Sequence, residues 1–383
     1  MTTIYLIRHA EAEGNLYRRI HGQYDSRITE LGMKQILMLR ERFSDISVDA
    51  VYASDLTRAH TTAQAIATPR DLPIQLDARL RESHMGHWED DTWANVFKTD
   101  ALQLLAFSRD PEKWEAGEHF TAQIARMRGA LLEIAAKHVG QTVCVVSHGN
   151  AIRALLSSVL AIPSARFSEI PHCDNTGVSL LHIAGDDIRA EYTNDPSHLD
   201  ETTSTFARQN WWKHKSGLDD TNADFLPFDP HTRGEEYLTL RRAAWQEIHG
   251  SLDGFTDRYL EKAKEHAAAH PRALVEITAG EQSIGLLELS PNRAASEKEG
   301  AISFFYLKPE YRGQGFGPQL IGHAVSVYRP LGREKLTLFV AKVNEEAKGF
   351  YERFGFQVCG EQMGVHDMLW KMELDIRVMV RKI

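Results

Sequence analysis

The stretch Ile4-Tyr-Leu-Ile-Arg-His-Ala-Glu-Ala-Glu-Gly-Asn15 decides how the first half of this chain is read. Ile4–Ile7 is an apolar run too short for a buried helix and dense enough for a buried strand. It leads without a turn into Arg8-His9. A strand buried on both faces belongs to a parallel sheet covered by helices. Side chains just past its carboxyl end then sit at the edge where such sheets bind ligands. Similar short apolar runs follow at Ala50–Ala53, Thr142–Val146, Val178–Ile183 and Ile188–Tyr192, and helical periodicity covers Glu30–Phe43, Arg58–Ala67 and Ile124–His138. This alternation predicts an α/β domain with a mainly parallel sheet over residues 1–195.

A polar, turn-rich tract follows from Asn194 to Thr205, and a second from Ser216 to Asn222, with Trp211-Trp212 between them. Residues 196–221 are therefore expected to be a linker, with the paired tryptophans packing at the domain junction. A second domain is expected over 222–383, with strands at Asp224–Phe228, Ala273–Ala279, Ser283–Leu289, Ala301–Leu307, Leu336–Val340 and near Met368–Ile376. Its helices are expected at Gly234–Ile248, Gly254–His270, Pro318–Tyr328 and Glu345–Arg353.

A chain of 383 residues has the length of about two domains. A hydrophobic fraction of 43% with 25% charged residues suits chains that bury sizeable cores. The net charge of −9 argues against a general nucleic-acid binder. Cys144, Cys173 and Cys359 follow no ligand or disulfide spacing, which points to a reducing compartment. The run at Ile4–Ile7 is too short for a signal sequence, and no segment reads as a membrane span. A cytoplasmic protein without a membrane partner is the expectation.

Four segments of the first half carry reactive side chains. Arg8-His9 ends the first strand. Ser54-Asp-Leu-Thr-Arg58 follows another and opens a helix. Leu80-Arg-Glu82 places a carboxylate in a loop. Ser147-His-Gly149 ends a further strand with His148. Together with Asn15, Gly22, Thr29-Glu-Leu-Gly32, Gly86 and Trp88, in this order, they closely resemble the histidine phosphatase superfamily, also called phosphoglycerate mutase-like. The resemblance implies a three-layer α/β/α sandwich. Two positions depart from the family pattern, Ala10 and Asp90 standing where glycine is usual, and both are expected to alter loop shape rather than chemistry.

The chemistry is consistent with that resemblance. Phosphoryl transfer depends on positioning and on fixed positive donors. Arg8 and Arg58 offer forked donors for phosphate oxygens, with His148, Asn15 and Gly22 completing the binding set. His9 takes the phosphoryl group as nucleophile, and Glu82 is the candidate acid for the leaving alkoxide. No metal is required. His84, His87 and Glu89 suggest a metal site but fit better as residues lining the pocket. The short spacing from Glu82 to His148 favours a phosphatase over a mutase, whose family members usually carry a longer insertion there.

In the second half, Phe305-Tyr-Leu-Lys-Pro-Glu-Tyr-Arg-Gly-Gln-Gly-Phe-Gly-Pro318 is a glycine-rich strand-to-helix turn. Such turns aim backbone N–H groups at an anion. Pro318 stands where a dinucleotide fingerprint needs glycine, and the P-loop Gly-Lys-Ser/Thr is missing. With Val343-Asn-Glu-Glu-Ala-Lys-Gly-Phe-Tyr-Glu-Arg-Phe-Gly-Phe356 further on, the segment resembles the GCN5-related N-acetyltransferases, the GNAT family. That resemblance implies a mixed, splayed sheet and acyl transfer from acetyl-CoA to an amine. Leu307, Arg312, Gly313, Gln314, Gly315, Phe316, Gly317 and Asn344 are the implied cofactor-binding positions, and Tyr351 the implied group at the leaving thiolate. The general base stays open between Glu288 and a water chain.

The expected protein is a bifunctional enzyme acting on a small phosphate monoester and a small amine. An acyl-CoA-sensing second domain without transferase activity is the alternative for that half.

Overall fold

The computed structural model describes residues 1–209 and 221–381. Trp211-Trp212, and with them the expected junction packing, lie outside the described residues. The chain divides into two compact units, Met1–Leu218 with Val378–Ile383, and Asp219–Arg377.

The first unit contains strands β1 (Thr2–Arg8), β2 (Ala50–Ala53), β3 (Ile74–Leu76), β4 (Thr142–Ser147), β5 (Val178–Ala184) and β6 (Asp187–Asp195). Their order in the sheet is β3-β2-β4-β1-β5-β6. The first four are parallel, while β5 and β6 run antiparallel at one edge. Alternate residues of the central strands feed two separate cores. Ile4, Leu6, Tyr52, Val143 and Val145 face one; Ile7, Val51, Ala53, Cys144 and Val146 face the other. Sheet sides with a period of two, each covered, give the three layers expected.

The helices are α1 (Glu13–Tyr17), α2 (Glu30–Arg42), α3 (Thr57–Ala67), α4 (Trp93–Thr99), α5 (Ala101–Arg109), α6 (Phe120–Lys137), α7 (Gly149–Val159) and α8 (Thr205–Arg208). Helices α6 and α7 supply Met127, Leu131, Ile152 and Leu155 to the first core. Helices α2 and α3 supply Ile36, Leu39, Ala59 and Ile66 to the second. Helix α2 starts where Thr29 accepts a hydrogen bond from the Gly32 N–H at 3.0 Å, an N-cap. A Cβ on Gly32 would stand 2.2 Å from the Glu11 carbonyl oxygen, so only glycine lets this helix approach the loop after β1. Gly32→Ala is expected to lower stability by about 2 kcal/mol, as overpacking against backbone does, measured as a fall in thermal midpoint.

Part of the expected linker is not a linker. Gln35 Nε2, fully buried on α2, donates to the Thr203 carbonyl at 2.8 Å and to Thr205 Oγ1 at 2.9 Å. Ser204 Oγ donates to Asp174 Oδ2 at 2.5 Å. Thr203, Ser204 and Thr205 are polar because they satisfy buried polar groups of the first unit, while Asp200, Glu201 and Thr202 face water.

The second unit holds β7 (Ala223–Pro227), β8 (Leu274–Ala279), β9 (Gln282–Ser290), β10 (Glu299–Leu307), β11 (Lys335–Ala341), β12 (Gln357–Met363) and β13 (Met368–Asp375), with α9 (Gly234–His249), α10 (Arg258–Ala269), α11 (Gly317–Tyr328) and α12 (Glu345–Arg353). The order is β12-β13-β11-β10-β9-β8-β7. Every neighbouring pair is antiparallel except β10 and β11. That pair matches Glu299–Ala301 with Lys335–Thr337 and then parts, although both strands continue. This is the splayed sheet expected. Among the described residues, no helix is long and apolar enough to cross a membrane.

Candidate active sites

The parallel register brings the first site together. Arg8 pairs with Ser147 across β1 and β4, and the His9 N–H donates to the Ser147 carbonyl at 2.9 Å. His9 and His148, far apart in sequence, therefore leave the sheet side by side, with ring centroids 5.0 Å apart. Helix α7 starts directly after His148, and its first residue must be small. A Cβ on Gly149 would come within 3.1 Å of Arg8 Nε and 3.3 Å of Cζ.

His9 is buried, and its Nδ1 lies 2.7 Å from the Ala10 carbonyl oxygen. A carbonyl only accepts, so Nδ1 carries the proton and Nε2 keeps its lone pair. Burial first, then the charges of Arg58 and Arg8, hold the His9 imidazole well below its ordinary titration range. The same causes, burial first and Arg58 next, act on His148. Both rings are therefore neutral at neutral pH. In an NMR titration of the free protein, neither imidazole is expected to protonate as pH falls through about 6.5, the ordinary histidine value.

Arg58 comes from the first turn of α3, which Asp25 positions by accepting from the Thr57 N–H at 2.9 Å and the Thr57 hydroxyl at 2.6 Å. Its guanidinium donates to the carbonyls of Gly22 at 2.6 Å and Tyr24 at 3.1 Å. Burial pushes its pKa down to about 10, which leaves it charged at neutral pH. Gly22 thus orients Arg58 through its carbonyl. It has φ +51°, and a Cβ there would meet the Met85 side chain at 2.5 Å. Arg8 donates from Nη1 to the Cys173 carbonyl.

Glu82 reaches the same region from its loop. Its carboxylate accepts from the N–H groups of Asn150 at 3.0 Å and Ala151 at 2.8 Å, in the first turn of α7, and from Ser83 at 2.9 Å. Asn15 plays a more local part: its Oδ1 accepts from the Ala12 N–H at 3.1 Å. The departure at Asp90 is explained by φ +60° stabilised through an ion pair to Arg19 at 2.9 Å. Ala10 fits without strain, its N–H donating to Thr62 Oγ1 at 2.9 Å.

Sequence reasoning missed three supporting residues. Arg126 on α6 donates to the carbonyls of Arg79, Arg81 and Glu82, fixing the loop that carries Glu82. Thr62 links Ala10 to the Arg58 carbonyl. Asn175 donates from Nδ2 to the His9 carbonyl at 2.9 Å. Each acts on backbone, so no motif spacing announces it. His84 and His87 do not converge: His84 lies 4.0 Å from Glu89 and His87 3.4 Å from Asp100.

Several buried nitrogens at this site have no hydrogen-bond partner: Arg8 Nε and both ring nitrogens of His148. Buried polar atoms are seldom left unpaired without a reason, and an anion seated beside His9 supplies one.

In the second unit the glycine-rich turn opens α11. Gly313 and Gly315 have φ +72° and +87°, and a Cβ on either would meet no heavy atom within 4 Å. Gly317 differs, since a Cβ there would strike the Phe350 ring at 2.5 Å, so its lack of a side chain serves packing. Two side chains at the expected cofactor positions make contacts within the unit. The Arg312 guanidinium is paired with Glu247 of α9, and its Nε donates to the Leu307 carbonyl at 3.0 Å. Asn344 caps α12 by accepting from the Ala347 N–H at 3.0 Å. Gln314 donates to the Glu310 carbonyl at 2.7 Å, and Phe316 is buried beside Tyr311. Tyr351 stands among Phe305, Phe350 and Phe356, and burial raises its pKa.

Comparison with known proteins agrees with both halves. Residues 4–196 match the histidine phosphatase superfamily (branch 1), and residues 235–356 match the acetyltransferase (GNAT) family. Phosphoserine phosphatase 1 of Hydrogenobacter thermophilus is 31% identical over 48% of this chain and 87% of its own length. The metal-independent phosphoserine phosphatase of Arabidopsis thaliana is 33% identical over 52% of this chain and 84% of its own length. The probable phosphoglycerate mutase GpmB of Photorhabdus laumondii is 32% identical over 52% and 96% respectively. The solved structure of Bacillus stearothermophilus YhfR matches with a TM-score of 0.51 at 31% identity, covering 52% of this chain and 100% of that one. The chain belongs to the histidine phosphatase superfamily, branch 1, and carries a GNAT acetyltransferase domain after it.

Proposed function

We propose that the first unit hydrolyses a phosphate monoester in two steps through a phosphohistidine at His9. The observation that carries this reading is the set of unpaired buried nitrogens of Arg8 and His148 beside a His9 whose Nε2 is left bare. The anion sits among Arg8, Arg58 and His148, which stabilise the charge that spreads over its oxygens during transfer. His9 Nε2 attacks phosphorus, the P–O bond to the alkoxide breaks, and Glu82 gives the alkoxide its proton. Water then attacks the phosphohistidine, with Glu82 taking the proton it lost. Arg8 and Arg58 supply the positive charge for this step, and a metal-independent relative fits that reading.

The second unit is proposed to transfer acetyl from acetyl-CoA to an amine. Support comes from the parting of β10 and β11, which makes room for an extended thioester arm, and from the unobstructed turn at Gly313 and Gly315. The Arg312 side chain, held by Glu247, steadies the turn whose backbone N–H groups face the cofactor. In this reading Tyr351 protonates the departing thiolate.

Two of the relatives described above are named phosphoserine phosphatases, and phosphoserine has both a phosphate ester and an amine. L-Phosphoserine and 3-phosphoglycerate are therefore the first substrates to test on the full-length chain. Release of inorganic phosphate supports the hydrolase; an isomerised product that retains its phosphate supports the mutase reading instead.

A further inference from the structure

A chain of hydrogen-bonded side chains runs through the second unit from α10 to the parting strand. Glu288, fully buried on β9, accepts from His266 Nδ1 at 2.7 Å and from the Tyr237 hydroxyl at 2.8 Å, and pairs with Arg241 Nη2 at 2.9 Å. His266 Nε2 lies 2.5 Å from Ser290 Oγ, and Ser290 Oγ lies 2.8 Å from Ser303 Oγ. Ser290 is two residues beyond Glu288 on the same strand and shares its face. Ser303 sits in the irregularity of β10 between Ile302 and Phe304, two residues past the last pair with β11 at Ala301.

For a neutral His266 the direction of these bonds follows from Glu288. Burial alone would raise the Glu288 carboxyl, but Arg241, His266 and Tyr237 outweigh it and hold the group ionised. An ionised carboxylate only accepts, so His266 has a proton on Nδ1, and in its neutral form the ring keeps an acceptor at Nε2. Ser290 must then donate to Nε2, and Ser303 must donate to Ser290. The lone pairs left at the open end belong to Ser303.

Strand β10 separates this chain from Tyr351. Phe305 points to Tyr351, with ring centroids 5.6 Å apart, while Phe304 lies under the Arg241 guanidinium at 4.0 Å. An acid and an acceptor of protons therefore flank the parted strand from opposite faces.

We propose that Ser303, Ser290 and His266, oriented by Glu288, form the relay that removes the amine proton during acetyl transfer. This rests on the acetyltransferase reading of the second unit. The amine nitrogen forms the new C–N bond as the C–S bond breaks. Its proton passes to Ser303, the Ser303 proton to Ser290 and the Ser290 proton to His266 Nε2, giving an imidazolium beside Glu288. Tyr351 protonates the thiolate. His266, partly open to solvent, returns its proton to water, and water restores Tyr351. The titratable groups of the network are Glu288 from β9, His266 from α10, and Tyr237 and Arg241 from α9; β10 contributes the Ser303 hydroxyl.

The test uses the full-length chain with acetyl-CoA and a panel of amino acids, L-phosphoserine and polyamines, following thiol release. His266→Gln and Ser303→Ala are each expected to lower kcat about 100-fold, with acetyl-CoA affinity by calorimetry unchanged. The pH profile of kcat is expected to change in His266→Gln. A second readout needs no turnover: the imidazole ¹⁵N shifts of the free protein are expected to show the His266 proton on Nδ1. A network that only stabilised the fold would lower the thermal midpoint and leave the pH profile in place. Variants within twofold of wild type with an unchanged pH profile, or a proton on Nε2, overturn the relay alone. A wild-type chain that releases no thiol above hydrolysis with any amine overturns the acetyltransferase reading and the relay with it. Should His266→Gln fail to fold, Ser303→Ala and the ¹⁵N spectrum decide.

Discussion

Replacing His9 with alanine is expected to reduce phosphomonoester turnover by roughly 10⁴-fold or more, because the two-step route loses its nucleophile. His9 is fixed from three directions: its N–H by Ser147, its carbonyl by Asn175, and its Nδ1 by the Ala10 carbonyl. The backbone bonds do not depend on the imidazole, so the variant should fold. Steady-state hydrolysis of p-nitrophenyl phosphate, with circular dichroism to verify folding, measures the effect. Turnover near the wild-type level in a folded variant would exclude His9 as the attacking group.

The second large effect is expected at Arg58. Arg58→Ala should lower kcat/KM by about 10³-fold, the scale found when a fixed donor to a developing anion is removed. The side chain is buried, charged and aimed by the carbonyls of Gly22 and Tyr24, so its orientation precedes substrate. Arg58→Lys should recover only part of the loss, since an ammonium cannot replace a planar fork held by two carbonyls and still reach phosphate. A fall confined to KM, with kcat intact, would instead mean that Arg58 binds substrate and transition state equally.

The parts of this molecule that were legible in its sequence share one cause. Ile4–Ile7 and Thr142–Val146 are buried on both faces, and that demand leaves a continuous apolar run. Their parallel pairing then places Arg8-His9 beside Ser147-His148 without further information. The splayed strand Glu299–Leu307 was legible through the glycine turn that follows it. Elements without such a demand were missed. Strand Gln357–Met363 lies at an edge of its sheet with most of its side chains exposed, so it shows no apolar run. The tract after Asn194 is polar in sequence, yet Thr203, Ser204 and Thr205 serve buried partners in the first unit. Polarity alone does not separate a solvated loop from a buried hydrogen-bonding one.

The candidate sites divide in the same way. Residues proposed to touch reacting groups fall in short motifs that were readable. Residues that hold them, such as Arg126, Asn175 and Thr62, act through carbonyls and N–H groups of distant segments. Asn344 and Arg312, readable from their motifs, also serve as a helix cap and in an ion pair. The His266–Ser290–Ser303 chain joins two strands and a helix, and no spacing reveals it.

The most direct test of the central claim is to quench the full-length chain in alkali during turnover of ³²P-labelled substrate and to map the labelled peptide. The account predicts an acid-labile, alkali-stable phosphate on the peptide that contains His9, absent from the His9→Ala protein. Label on a serine or carboxylate, or steady turnover with no label on His9, would contradict it.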